Sequence, residues 1–229
     1  MEQLANGYTL KTPEGTFPLS TDSMVLSGFV KLGQNARVLD LCSGCGTLGL
    51  LLCASDPNCQ VTGIELCQDA HKAALDNISR NQLSSRLFSI NGDIRQTSQL
   101  VECGGFDCCI SNPPYFSSGP QSKAIPTARR EDFCSLEELF TAAVWALRYG
   151  GDFYLVHRPE RLAEICALGA KFKLEPKRLC LIRHRTDGPV SLILLQMRKG
   201  GKPGLIWQEE SLHLPDGTTT PFYKELYHL

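Results

Sequence analysis

Val38-Leu39-Asp40-Leu41-Cys42-Ser43-Gly44-Cys45-Gly46-Thr47-Leu48-Gly49-Leu50-Leu51-Leu52 is the stretch on which the fold turns. The apolar residues up to Leu41 read as a buried strand, and the leucine-rich run after Gly46 reads as the opening of a helix. Between them Gly44 and Gly46 permit a tight turn and a close backbone approach to a bound ligand. A Gly-x-Gly pair alone says little. Set between a strand and a helix, it marks a nucleotide-type binding turn. The third glycine comes early, at Gly49, so the spacing is not that of the dinucleotide fingerprint.

Two acidic strand ends follow the loop. Val61-Thr62-Gly63-Ile64-Glu65-Leu66 is a short apolar strand that closes on a carboxylate. It lies roughly 20 positions past the loop, the distance at which an acid meets ribose hydroxyls in doubly wound folds. A lone strand-end Glu is ordinarily a solvated residue, but behind this loop Glu65 becomes the candidate ribose ligand. Ile90-Asn91-Gly92-Asp93-Ile94 ends a third strand in the same manner, although Asn-Gly-Asp is also a good turn.

Further along, the apolar run Phe106–Ser111 leads into Asn112-Pro113-Pro114-Tyr115-Phe116. Two consecutive prolines offer a ladder no N–H, so the chain must leave the sheet here. They hold an amide, Asn112, and an aromatic face, Tyr115, on a stiff ledge, which suits the capture of a planar amino group. Alone, the segment could be only a rigid exit turn. Asn-Pro-Pro-Tyr resembles the signature of amino-methyltransferases, enzymes that methylate an exocyclic or amide nitrogen.

Strand and helix patterns alternate along the chain, which argues for a parallel α/β sheet. Strands are expected near Arg37–Leu41, Val61–Glu65, Leu87–Asn91, Phe106–Ser111, Asp152–His157, Arg178–Arg183 and Ser191–Arg198. Helices are expected near Asp22–Leu32, Thr47–Ala54, Gln68–Asn81, Leu136–Tyr149 and Pro159–Leu168. The helix from Leu136 is expected to end at Tyr149-Gly150-Gly151 with glycine as a left-handed cap. Pro159 fits the first turn of its helix without losing a needed hydrogen bond. Residues 1–229 read as one domain, with 1–35 an N-terminal extension and first helix, and 199–229 a glycine- and proline-punctuated tail folded onto it.

The chain has 229 residues, enough to bury a full α/β core. Its net charge of −1 excludes a generally basic nucleic-acid coat, so any RNA contact must rest on local patches. The 11 cysteines are odd in number and scattered, and no secretory leader is expected, which argues against a disulfide framework. Cys53, Cys108, Cys109, Cys166 and Cys180 sit in apolar runs, where Cys acts as a small hydrophobe. Cys42-Ser43-Gly44-Cys45 has the C-x-x-C form but no second pair at zinc spacing. A reducing, cytoplasmic setting and no metal are expected. No apolar run approaches the ~20 residues that span a bilayer.

Taken together, these segments resemble the bacterial tRNA1(Val) (adenine(37)-N6)-methyltransferase family, over about Phe17 to Leu229. The likeness is carried by Ser20-Thr21-Asp22-Ser23-Met24-Val25-Leu26, the glycine loop, Gly63-Ile64-Glu65 and Asn112–Phe116. His157-Arg158-Pro159-Glu160-Arg161-Leu162, Leu174-Glu175-Pro176-Lys177-Arg178 and Gly201-Lys202-Pro203-Gly204 are more particular to it. Two departures stand out: Ser27 where a second leucine is expected, and Cys42 where many relatives of the wider superfamily carry Gly. The resemblance implies a Rossmann-like class I methyltransferase fold, a seven-stranded, mostly parallel sheet with helices on both faces. It implies S-adenosylmethionine as cofactor, held by Asp40, Cys42, Gly44, Gly46, Glu65, Leu66, Asp93, Ile94 and Asn112, with Asp93 receiving the adenine amino group. It implies Asn112, Pro113 and Tyr115 as catalytic residues, and Tyr115, Phe116, Lys123, Arg129 and Arg130 against the substrate. The implied partner is tRNA, with no membrane, metal or DNA.

These residues suit the chemistry of a weakly nucleophilic amino group. The side-chain carbonyl of Asn112 and the main-chain carbonyl of Pro113 can accept both amino hydrogens and favour a pyramidal nitrogen, so positioning and electrostatics carry the catalysis. Tyr115 would stack on the target base, a contact worth ~1–3 kcal/mol, and an anticodon loop presents such a base already unstacked. Lys123, Arg129 and Arg130 after the catalytic segment, Lys171, Lys173, Lys177, Arg178, Arg183, His184 and Arg185, and Arg198, Lys199 and Lys202 form candidate phosphate contacts or solvated faces. His157 and His184 read as hydrogen-bonded histidines near the sheet edge rather than bases. Three other functions stay open: methylation of a protein glutamine amide, methylation of guanine N2 in ribosomal RNA, or a non-catalytic binding subunit. Only about forty residues precede the loop, no repeat is seen, and Gly44, Gly46 and Asn112 are intact, which weighs against each in turn.

Overall fold

The computed structural model describes residues 2–4, 7–113 and 134–227. Tyr115, Phe116, Lys123, Arg129 and Arg130 lie outside the described residues. A short antiparallel pair, β1 (Glu2–Gln3) and β2 (Thr9–Leu10), stands apart from the main sheet. The main sheet begins with β3 (Arg37–Leu41), β4 (Gln60–Glu65), β5 (Leu87–Asn91), β6 (Phe106–Ser111) and β7 (Leu147–His157), all mutually parallel. It continues through β8 (Leu174–Arg185), β9 (Val190–Lys199) and β10 (Ile206–His213). The order across the sheet is β10-β8-β9-β7-β6-β3-β4-β5, with β9 antiparallel to both β7 and β8 and β10 parallel to β8. The carboxyl ends of every strand in this sheet except β9 therefore share one edge, and the order reverses at β3, where ligands gather in open α/β sheets.

Alternation along each strand sorts side chains between two cores. Val38, Val61, Ile110, Tyr154 and Val156 pack on one face. It is covered by α1 (Thr21–Phe29), α2 (Thr47–Ser55), α3 (Gln68–Arg80) and α7 (Pro221–Tyr227). Leu39, Leu41, Ile64, Phe153 and Leu155 pack on the other, beneath α5 (Leu136–Ala146) and α6 (Leu162–Lys171). A single turn, α4 (Thr97–Leu100), joins that side. Helix α5 starts with a full capping box, Ser135 accepting from the Glu138 N–H while Glu138 accepts from the Ser135 N–H. Pro159 opens a 3-10 turn, Pro159–Arg161, that leads into α6, as expected of a proline that lacks an N–H to donate.

The sheet has eight strands rather than seven. Ile206–His213, expected as tail, pairs along its whole length with β8. The connection from Lys199 passes the start of β8, where the Lys177 ammonium donates to the Lys202 carbonyl at 2.9 Å. The Leu136 helix also ends earlier than expected, because Leu147 already turns extended (φ −71°, ψ 134°) and begins β7. Gly150 is left-handed (φ +77°), but it serves a bulge where β7 slips register against β6, not a helix cap. Topology also divides the later basic cluster. Arg183, His184 and Arg185 end β8 on the carboxyl edge, whereas Lys177, Arg178, Arg198 and Lys199 lie at the opposite edge.

Candidate active site

The chain turns out of β3 through Cys42, Ser43 and Gly44 into Gly46, which caps α2 in the left-handed region (φ +79°). Gly44 is left-handed as well (φ +57°). Gly49, one turn into α2, lets the helix lie against the sheet, since a Cβ there would stand 2.6 Å from Leu87 Cδ1. That is a packing task, which frees the third glycine from the spacing a pyrophosphate demands. Cys42 is also left-handed (φ +63°), a conformation that favours Gly, and Cys holds it against strain of about 1–2 kcal/mol.

Glu65, at the end of β4, is bound to this loop by backbone. Its carboxylate accepts from the Gly44 N–H at 2.8 Å and from the Cys67 N–H at 2.7 Å. Burial nevertheless pushes its pKa up, with the backbone N–H groups pulling the other way. Beneath the loop, Asp40 is 1% exposed, and neither carboxylate oxygen has a partner among the described residues. Burial drives its pKa well above the carboxylate range, and the neighbouring charge of Glu65 adds to this. The Ser43 hydroxyl is likewise buried without a partner.

A cavity of about 510 Å³ opens at the carboxyl ends of β3, β4 and β6. Of the expected cofactor residues, Cys42, Gly44, Glu65, Leu66, Asp93, Ile94 and Asn112 line it, as does Pro113. Asp40 and Gly46 do not: one underlies the loop and the other caps the helix. Asp93 is compromised as a free acceptor. Its carboxylate takes the Arg95 Nε at 2.8 Å and the Arg95 N–H at 2.9 Å, and the Arg95 hydrogen bond pulls its pKa down.

Sequence reasoning missed part of the wall. Thr16, Phe17, Ser23 and Cys134 line the same cavity. Cys134 shares a hydrogen bond with Cys42, which with burial raises the Cys42 thiol. The N-terminal wall is fixed by Asn77, fully buried on α3. Its Oδ1 accepts from the Lys11 N–H at 2.9 Å, and its Nδ2 donates to the Lys11 and Cys45 carbonyls, each at 3.0 Å. On the opposite side, Asn112 Nδ2 donates to Ser23 Oγ at 3.0 Å. The Ser20-Thr21-Asp22-Ser23 run was the signal for the second of these contacts. For Asn77 there was none.

His157 is fully buried at the end of β7, its Nδ1 accepting from the Arg158 N–H at 2.8 Å. Burial lowers its pKa to about 4, followed by the nearby Arg161 charge. It is a structural histidine. His184 stacks obliquely on His213, ring centroids 4.9 Å apart. Among the described residues no cluster of His, Cys, Asp and Glu could hold a metal, and no helix is long and apolar enough to cross a membrane.

The cavity suits S-adenosylmethionine. Its loop has the close backbone approach a small ligand needs, its ribose candidate sits beside that loop, and a buried carboxylate without a partner lies beneath a ligand that carries net positive charge at one end. Comparison with known proteins agrees. Among curated relatives, the tRNA1(Val) (adenine(37)-N6)-methyltransferase of Photobacterium profundum is 28% identical, covering 85% of both chains. The enzyme of the same name from a Shewanella species is 38% identical, covering 69% of this chain and 67% of the relative. Among solved structures, a predicted O-methyltransferase from Agrobacterium tumefaciens superposes with a TM-score of 0.76 at 22% identity, covering 91% of this chain and 96% of the other. The geranyl diphosphate C-methyltransferase of Streptomyces coelicolor gives 0.59 at 11% identity, over 77% and 79%; both share the fold. The methyltransferase small domain model matches residues 19–173, from the cap of α1 to the start of β8, so the chain belongs to that family and is an S-adenosylmethionine-dependent methyltransferase.

Proposed function

We propose that this enzyme methylates N6 of an adenine in tRNA, the adenosine just 3′ of the anticodon, as the names of its relatives indicate for them. The observation that carries this reading is the meeting of Asn112 and Pro113 with the glycine loop and Glu65 on one cavity. An amide and a proline carbonyl at a strand end offer acceptors at fixed angles, which suit the two hydrogens of a planar amino group. A cytoplasmic place of work accords with an RNA substrate.

The bound cofactor supplies an electrophilic methyl group on sulfonium. The glycine loop would line its amino-acid end, Glu65 would accept from its ribose hydroxyls, and Leu66 and Ile94 would pack on its base. Glu65 already accepts from Gly44 and Cys67, so its geometry is set before a ligand arrives. Asn112 Oδ1 and the Pro113 carbonyl accept the two hydrogens of the substrate amino group. They turn its lone pair toward the glycine-loop side, and as the nitrogen grows acidic its proton passes by way of these acceptors to solvent water. Tyr115 is the residue proposed to stack on the target base, with Phe116, Lys123, Arg129 and Arg130 as the proposed substrate contacts.

The test is direct. The protein is incubated with labelled cofactor and fractionated cellular RNA, which is then digested to nucleosides and analysed by mass spectrometry. N6-methyladenosine from tRNA is expected. N2-methylguanosine, or label in protein glutamine, overturns the substrate assignment.

A further inference from the structure

We infer that Ser23 is the positioning residue for Asn112, holding the amide so that its nitrogen faces α1 and its carbonyl faces the substrate nitrogen. This rests on the reading of Asn112 as acceptor of the amino group. An asparagine presents a donor at one end and an acceptor at the other, nearly identical in shape, and half a turn about its last torsion exchanges them. For a substrate that must donate, only one of the two orientations works. Something other than shape has to choose.

Ser23 makes that choice by its hydrogen-bond polarity. It is 4% exposed on the first turn of α1, and its Oγ lies 3.0 Å from Asn112 Nδ2, across 89 residues of sequence. Its Oγ also lies 3.3 Å from Ser20 Oγ, the cap of α1, which in turn accepts from the Ser23 N–H at 3.3 Å. Either hydroxyl of the Ser20–Ser23 pair can donate to the other; the proposed arrangement gives the Ser23 hydrogen to Ser20, which leaves the Ser23 lone pairs to meet Asn112, where they accept only its N–H end. Pro113 then removes the backbone freedom with which Asn112 could evade this contact, because the residue before a proline is confined to extended conformations. Both Ser23 and Asn112 line the cavity, so the selection is made at the reaction site.

Two measurements test this. The first is hydrogen exchange of the Asn112 side-chain amide in the ¹⁵N-labelled protein, assigned by its loss in Asn112→Ala. The amide should exchange at least about 10-fold more slowly than an exposed asparagine in the wild type, and faster in Ser23→Ala. The second is single-turnover methylation. Ser23→Ala should slow it about 10- to 30-fold, with cofactor affinity within about twofold, and Ser23→Thr, which keeps the hydroxyl, should recover most of the rate. In an Asn112→Ala background, Ser23→Ala should change nothing further, whereas a merely structural serine would give additive losses. Wild-type exchange at the rate of an exposed amide, or additive rates in the double variant, overturns the proposal even if Ser23→Ala fails to fold. If the wild type yields no methylated adenine, the substrate reading fails, and the exchange experiment still decides the role of Ser23.

Discussion

At the carboxyl edge, the half of the sheet built from β3, β4 and β6 and the half built from β8 and β10 handle polarity in opposite ways. In the first, Asp40 is buried and Glu65 half-buried, both with their pKa values raised, and Asn112 is tied to a serine. In the second, charge meets charge at the surface: Arg183 with Glu209 at 3.2 Å, and Arg185 with Asp187 at 2.8 Å. Backbone N–H groups and hydroxyls fix an acceptor without neutralising it, so it retains potential for a ligand. An ion pair spends that potential internally. Asp93 crosses the line, since it belongs to the cavity yet is held by Arg95. The lesson is that a site is marked less by charge than by polar groups whose compensation is incomplete.

The strongest way to break this comparison is Asn112→Ala. Its amide acts on the transition state, so the single-turnover rate should fall by ~10²–10⁴-fold while calorimetry shows cofactor affinity near normal. An active variant would reduce the first half of the edge to a binding surface.

His157 on β7, between the two halves, gives the next largest effect. Its folded pKa of about 4 lies below the ordinary 6.5, so the unfolded chain binds the extra proton and stability falls as pH drops from about 6.5 to 4. The full shift corresponds to about 3 kcal/mol. His157→Asn, which keeps an acceptor near Nδ1, should remove that part of the pH dependence in urea titrations and leave only the carboxylate contribution. Methylation that tracks the His157 titration, rather than stability, would instead make it a base.

Glu65→Ala should weaken cofactor binding by ~1.5–3 kcal/mol, the loss of a charge-assisted hydrogen bond. Unchanged affinity by calorimetry would remove the ribose assignment and make Glu65 only a brace for the loop. Arg183→Gln should be nearly silent, with stability changing by about 0–1 kcal/mol, because its ion pair is partly exposed. A larger loss in a denaturant melt would mean that the two halves of the edge are not different in kind.

Much of the parallel half was legible because local patterns determined it. The apolar run before Asp40, the Gly44–Gly46 turn and the double proline after Asn112 each constrain the backbone by themselves, and the strands and cavity residues follow. Strand β10 was not legible. Ile206-Trp207-Gln208-Glu209-Glu210 is largely exposed and lacks alternation, since an edge strand takes its order from the neighbour's ladder rather than from burial. The bulge at Gly150 was misread as a cap for a related reason, as both uses need the same positive φ. Ser23 and Asn77 escaped because each acts on a residue far away in sequence, and a serine on a capped helix or an asparagine inside one looks ordinary until its partner is known. Glu65 shows the intermediate case, with its position readable and its bonds to Gly44 and Cys67 not.

Because one buried asparagine bonds both Cys45 and Lys11, it ties the glycine loop to the chain that leads into residues 14–17 of the cavity wall. Lys11 has left the ribosome well before Asn77 exists, yet its N–H and carbonyl receive these partners only when α3 has docked on the sheet. The contact closes a loop of 66 positions, a non-local pairing whose closure entropy must be met before it rewards the chain. A chain caught before that step would display the glycine loop without its outer wall, and its cofactor would dissociate quickly. Docking of α3 therefore couples the sheet to the wall of the site, so that the same asparagine serves stability and cofactor retention together.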